Sequence, residues 1–202
     1  MQMALDEVLH LNASDPVLRF YGWVVPTVTF GYFQNINEIE RQTAVDTPLV
    51  RRWTGGGMVR HGGDFTFSFS CPRHHPLSGL RPVESYRQIH AAVVTALRKT
   101  GIEAELAVAE SGFGDACFQH PVVCDVLWRG RKIAGGAQRR TRSGLLHQGS
   151  IQGIDLSPEF GAAFAAALAQ TVRPAVISPS MLREAEQRAA EKYGTSGWLR
   201  LR

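Results

Sequence analysis

VRRWTGGGMVRHGGDFTFSFS, residues Val50–Ser70, sets two arginines before three consecutive glycines, then a histidine, and closes in an alternation of phenylalanine with small residues. The alternation puts Phe65, Phe67 and Phe69 on one buried face of a strand over Asp64–Ser70, and Leu49–Trp53 reads as a strand before the glycines. Gly55, Gly56 and Gly57 lose much backbone entropy on folding. They are worth having where the chain takes φ > 0 or lets a ligand approach the main chain. Arg51 and Arg52 supply planar donors for a phosphate or a carboxylate. A glycine hairpin with solvated arginines is the plainer reading of this segment alone.

A second segment changes the balance. VLWRGRKIAGGAQRRTRSGLLHQGSIQ, residues Val126–Gln152, starts apolar, turns at Arg129-Gly130 and ends in another apolar strand, as a hairpin does. Lys132 at the head of a strand is ordinarily a solvated edge residue. Here Ile133-Ala134-Gly135-Gly136 follow it, and small residues leave room for a ligand against the sheet. The run Arg139-Arg140-Thr141-Arg142 is either a phosphate patch or a solvated face. Two glycine-rich strand pairs flanked by basic residues point to one pocket for an anionic or carbonyl-bearing small ligand.

Around these segments the chain mixes strands and helices. Met1–Leu11 has helical spacing with Asp6 and Glu7 on the outside, and Val17–Phe20 and Thr27–Tyr32 read as strands. Asn35–Arg41 is a short helix, and Cys71–Arg81 is a loop. Pro82 starts a helix whose face of Tyr86, Ile89, Val93, Val94 and Leu97 runs until Gly101. Ala104–Val108 is a short strand, Glu110–Pro121 a loop, and Pro158–Val172 and Ser180–Tyr193 are helices. The fold class is therefore α/β (α+β), with a mixed, mainly antiparallel sheet and flanking helices, in one domain over residues 1–202.

The 202 residues suffice for one full hydrophobic core. The net charge of +4 is modest and dispersed. It suits an acidic protein partner or a phosphate-bearing substrate, and no basic-aromatic stripe points to nucleic acid. No apolar run reaches the ~20 residues that span a bilayer, and Met1–Leu11 lacks the features of a signal peptide. Three cysteines, an odd number, argue for a reducing compartment, so the expected location is the cytoplasm.

RRWTGGGMVRH followed by FTFSFS, then GRKIAGGAQRR and GLLHQGSI, resemble the lipoate-protein ligase and octanoyltransferase family. Leu18–Asn35 resembles that family's first strand pair, and the likeness runs to about Ile154. It implies a fold related to the catalytic domain of biotin ligases and class II synthetases. The implied substrate is an octanoyl or lipoyl group bound for a lysine of a small acidic lipoyl domain. The matching positions are Arg51, Gly55, Gly56, Gly57 and His61, then Lys132, Gly135 and Ala137. The resemblance implies that the glycines and the lysine line the acyl tunnel and its carbonyl end; Arg52 and Gly136 join them as candidate substrate contacts. Lys132 and amides near Gly135–Ala137 would then hold the acyl carbonyl oxygen.

The family has two chemistries. Ligases activate lipoate with ATP and Mg, whereas transferases take the acyl group from a carrier thioester through a cysteine and need no cofactor. Cys117, in Ala116-Cys117-Phe118-Gln119-His120-Pro121, resembles the segment in which one transferase branch carries its nucleophile. Cys71 and Cys124 read as small buried hydrophobes, Cys124 on a strand. The transferase reading makes acyl carrier protein the donor. The acceptor is a lipoyl domain of a 2-oxoacid dehydrogenase or the glycine cleavage H protein, with Arg129, Arg131, Arg139, Arg140 and Arg142 steering both. Barely fifty residues follow the last motif, which favours a transferase or a ligase with a separate accessory chain. Two departures stand out: Gly62, not an acid, follows His61, and Gln148, not histidine, precedes Gly149. They leave room for a non-catalytic acyl-binding protein. His61 is a base or a hydrogen-bonded strut, and His147, one residue off, faces away from the site.

Overall fold

The computed structural model describes residues 1–108 and 122–201. The phenylalanine alternation forms β5 (Phe65–Pro72), flanked by β1 (Val17–Tyr21) and β9 (Gly144–Ile151). β8 (Arg131–Thr141), β7 (Val126–Trp128) and β6 (Ala104–Leu106) continue a six-stranded sheet ordered β1-β5-β9-β8-β7-β6, antiparallel throughout. A smaller sheet, β3-β2-β4, holds β2 (Thr27–Phe30) between β3 (Leu49–Arg51), parallel to it, and β4 (Val59–His61), antiparallel to it. The triple glycine therefore does not close a hairpin. It carries the chain from β3 to β4 across the end of β2, and β5 then enters the other sheet. The crossing needs Gly31 just beyond β2: a Cβ there would overlap the Gly56 carbonyl.

Phe67, Phe69, Leu145 and Ile151 face a core closed by α4 (Pro82–Lys99) and α5 (Phe160–Leu168). Pro82 in the first turn and the reciprocal Arg81–Glu84 contacts start α4, and Gly101, at φ 88°, lets the chain leave it. Its Ile89, Val93 and Leu97 are fully buried, each contributing about 2 kcal/mol. The expected fold class and flanking helices are both present.

The opposite face of the large sheet is covered by α1 (Gln2–Asn12), which packs on α6 (Pro179–Arg188) and the π-turn Ala189–Tyr193. Here the expected orientation of α1 is wrong. Asp6 and Glu7 are buried, because partners distant in sequence converge on them. Asp6 accepts from Arg19, Tyr21, Ser68 and Gln148, and Glu7 from Arg188, Lys192 and Tyr193. Cys124 lies in a turn at φ 71° rather than on a strand, and like Cys71 it is a buried free thiol. A short helix, α3 (Pro76–Gly79), occupies part of the expected 71–81 loop, and α2 (Ile36–Arg41) and α7 (Ser196–Leu199) complete the described elements. No described helix is long and apolar enough to cross a membrane.

Candidate active site

The two sheets face each other across a cleft with about 400 Å³ of empty volume, including space open to solvent. One wall is the glycine-rich pair β8–β9, with Gly135, Gly136, Ala137, Gln148, Gly149 and Ser150. Thr29, Arg52, Gly56, Val59 and His61 form the other, and Met3, Tyr21, Trp23 and Thr66 complete the lining. Gly56, at φ 81°, lies where a Cβ would come 3.1 Å from Ala137 Cβ, so the absent side chain lets the two walls approach this closely. Both glycine segments singled out in the sequence thus meet at one cavity.

His61 is a strut. Its Nδ1 is 2.7 Å from Asp64 Oδ2, its Nε2 is 2.8 Å from Thr29 Oγ1, and its ring stacks on Trp23 with centroids 4.4 Å apart. Arg52 Nη1 donates to the same Thr29 oxygen at 2.8 Å, leaving the hydroxyl proton for His61 Nε2. Burial works to raise the Asp64 pKa, but hydrogen bonds from His61, Ser150 and Thr66 outweigh it and hold the value at about 2. Asp64 therefore supplies the acid that is absent directly after His61.

The arginine pair divides. Arg52 Nη2 donates to the Gly55 and Gly57 carbonyls at 3.0 and 2.6 Å, stapling the glycine crossing from the cleft side. Gly55 and Gly57 thus bear on the site through their carbonyls. Arg51, expected to meet substrate, is fully buried and does not line the cleft. It donates to the carbonyls of Tyr32, Gln34, Trp198 and Leu199, tying α7 to the turn after β2. The basic run is also structural in part. Arg139 stacks on Tyr32 and Trp53, and Arg140 donates to Ser78 O and Ser85 Oγ, whereas Arg129, Arg131 and Arg142 are exposed.

The Lys132 side chain is buried, with Nζ 2.7 Å from Asp125 Oδ2, and a Cβ on Gly135 would lie 3.0 Å from that nitrogen. Lys132, expected to line the acyl tunnel, is not itself among the residues lining this cleft; its ammonium lies beside Gly135, which is. Asp125 also accepts from Tyr86 Oη at 2.6 Å and from the Val122 amide at 2.9 Å. The Gly136 amide, expected to hold an acyl oxygen, already donates to Tyr86 Oη at 2.9 Å. Sequence reasoning missed Asp125 and Tyr86 as site residues. A single acid inside the apolar VVCDVLW was the available signal, since such a charge is buried only when paired.

Gln148 faces the cleft, accepting from Thr54 Oγ1 at 2.8 Å and donating to Asp6 Oδ2 at 2.7 Å. His147 faces the opposite side as expected, against Phe67 and His90. Burial keeps both histidines neutral: it lowers the His90 pKa to about 4 and drives that of His147 well below its ordinary value of 6.5. The unfolded chain binds these protons more readily, so their contribution is complete above pH 6.5 and is lost as the pH falls towards 4. Urea unfolding is expected to show a loss of about 2–3 kcal/mol from His90 alone between pH 7.5 and 4.5. His90→Phe should flatten that slope, and equal stability of the wild-type protein at both values would refute the assignment. Cys117 lies outside the described residues.

The family model of the lipoyl protein ligase A/B catalytic domain matches residues 1–173. Octanoyltransferase LipM of Moorella thermoacetica is 37% identical over 163 residues, covering 74% of this chain and 59% of that protein. LipM of Bacillus subtilis is 35% identical over 165 residues, with the same two coverages. The chain thus spans about three-fifths of the length of these relatives. In fold it matches a lipoate-protein ligase A bound with ATP (TM-score 0.76, 22% identity, 98% of this chain and 92% of that one). It also matches the bipartite lipoate protein ligase of Thermoplasma acidophilum (TM-score 0.75, 22% identity, 98% and 89%).

Proposed function

From the premise that this chain belongs to the lipoyl protein ligase A/B catalytic domain family, we propose that it moves an octanoyl or lipoyl group from a carrier-protein thioester to a lysine of a lipoyl domain. The observation that carries this reading is the Lys132 ammonium held beside Gly135, a residue of the cleft wall. The similarity to LipM octanoyltransferases supports the transferase branch. The Cys117 thiolate attacks the donor thioester carbonyl and expels the carrier thiol, leaving a cysteinyl thioester. The acceptor lysine amine then attacks that carbonyl, the amide forms, and the amine proton leaves with the restored thiol. A buried cation at the wall favours the negative charge that develops on the acyl oxygen in both steps. No ATP enters this cycle. The carriers are acidic small domains, acyl carrier protein as donor and a lipoyl domain or the glycine cleavage H protein as acceptor, drawn by the exposed Arg129, Arg131 and Arg142.

Incubation with octanoyl-loaded carrier protein without ATP, read by intact-mass spectrometry, is expected to give an octanoyl adduct that Cys117→Ala abolishes. An adduct that survives the substitution would remove Cys117 from the pathway. No adduct, with pyrophosphate released on adding lipoate and ATP, would assign the chain to the ligases.

A further inference from the structure

Beyond the end of β7 one amide of the cleft wall has left strand pairing. The β7–β8 ladder stops at the Val126–Ala134 pair, and two residues on the Gly136 N–H donates to a side chain, Tyr86 Oη. The same hydroxyl donates its proton to Asp125 Oδ1, and the other oxygen of that carboxylate holds Lys132 Nζ. One hydroxyl therefore bridges the backbone of the cleft wall and the carboxylate that anchors the lysine beside Gly135. The ring is fixed independently of the hydroxyl. It packs against His90 with centroids 4.0 Å apart and His147 at 5.4 Å, while His90 Nδ1 lies 2.8 Å from the Cys124 carbonyl, next to Asp125. The phenol thus joins a cleft-wall amide at 2.9 Å to the carboxylate of the lysine pair at 2.6 Å.

We propose that Tyr86 is a positioning residue for acyl transfer, its hydroxyl setting the Lys132–Asp125 pair and the Gly136 backbone at a fixed separation across the cleft wall. This rests on the reading that the acyl carbonyl is handled at that wall. Misplacing a charged group by a fraction of an ångström lowers transition-state stabilisation more than ground-state binding, because the charge to be met develops only during reaction.

Tyr86→Phe keeps the packed ring and removes one oxygen. Two readouts test it. Transfer from octanoyl-loaded carrier protein should lose ten-fold or more in kcat with the donor KM within two-fold. Acetylation of Lys132 by limiting acetic anhydride, measured by peptide mass spectrometry against Lys99 and Lys192 in the same molecules, should rise five-fold or more. Tyr86→4-aminophenylalanine returns the donor to Asp125 but only a poor acceptor for the Gly136 amide, so it should lower Lys132 labelling again. A kcat within two-fold of wild type overturns the proposal, as does a raised KM with kcat unchanged, the mark of lost uniform binding. Lys132 labelling that stays as high with the amine as in Tyr86→Phe also overturns it. If the wild-type protein transfers nothing while Lys132 labelling still rises, the transfer reading fails and the link from Tyr86 to Lys132 stands.

Discussion

Lys132→Met is expected to abolish octanoyl transfer and to destabilise the protein by about 3–5 kcal/mol, because it strips a buried carboxylate of its counter-ion. Asp125 is fully buried and retains, among the described residues, the Tyr86 hydroxyl and the Val122 amide once the ammonium is gone. For a chain of 202 residues the melting temperature should fall by about 10 °C. Lys132→Met combined with Asp125→Leu separates the two losses. Removing both charges relieves the unpaired carboxylate, so the double variant should recover most of the stability and none of the transfer. A single variant that melts with the wild type would show that the pair is not buried. A double variant that transfers would show that the lysine is dispensable.

Arg51→Lys carries the second large effect. The guanidinium reaches five carbonyls in a site closed to solvent, on two segments far apart in the chain, Gly31–Gln34 and Trp198–Leu199. An ammonium on a flexible stem offers three donors from one point and cannot reproduce that fork. Each buried carbonyl left without a donor costs about 1–3 kcal/mol. We expect a loss of about 3 kcal/mol in urea unfolding and faster hydrogen exchange over Ser196–Leu199, with the acyl cleft still able to bind octanoate. If Arg51 instead met substrate, stability would stay and KM would rise.

Much of the site was legible in one dimension. The alternation of Phe65, Phe67 and Phe69 reports a strand buried on one face, since side chains on a strand point to opposite sides in turn. The same parity argument turned His147 away from the cleft and left Gln148 facing it, as the structure has them. Lys132 followed by small residues, and the triple glycine, both indicated a ligand against the backbone, and the two segments line one cavity. What escaped was the pairing of groups far apart in sequence. Two adjacent arginines look alike, yet Arg52 lines the cleft while Arg51 holds α7. Asp6 and Glu7 look solvated on a helical wheel, but α1 lies between the large sheet and the C-terminal helices, so both acids are buried among donors.

The strand faces, the helix limits at Pro82 and Gly101, the glycine segments and the family can all be read from the residues in order, because each depends on local periodicity, backbone freedom or an ordered motif. That the glycine crossing joins β3 to β4 rather than closing a hairpin depends on the three-dimensional packing. It alone paired Lys132 with Asp125 and gave Asp125 and Gly136 a common partner in Tyr86. A charge or an amide states in the sequence that it needs a partner. Which group answers is set by the long-range packing that brings α4 against β8.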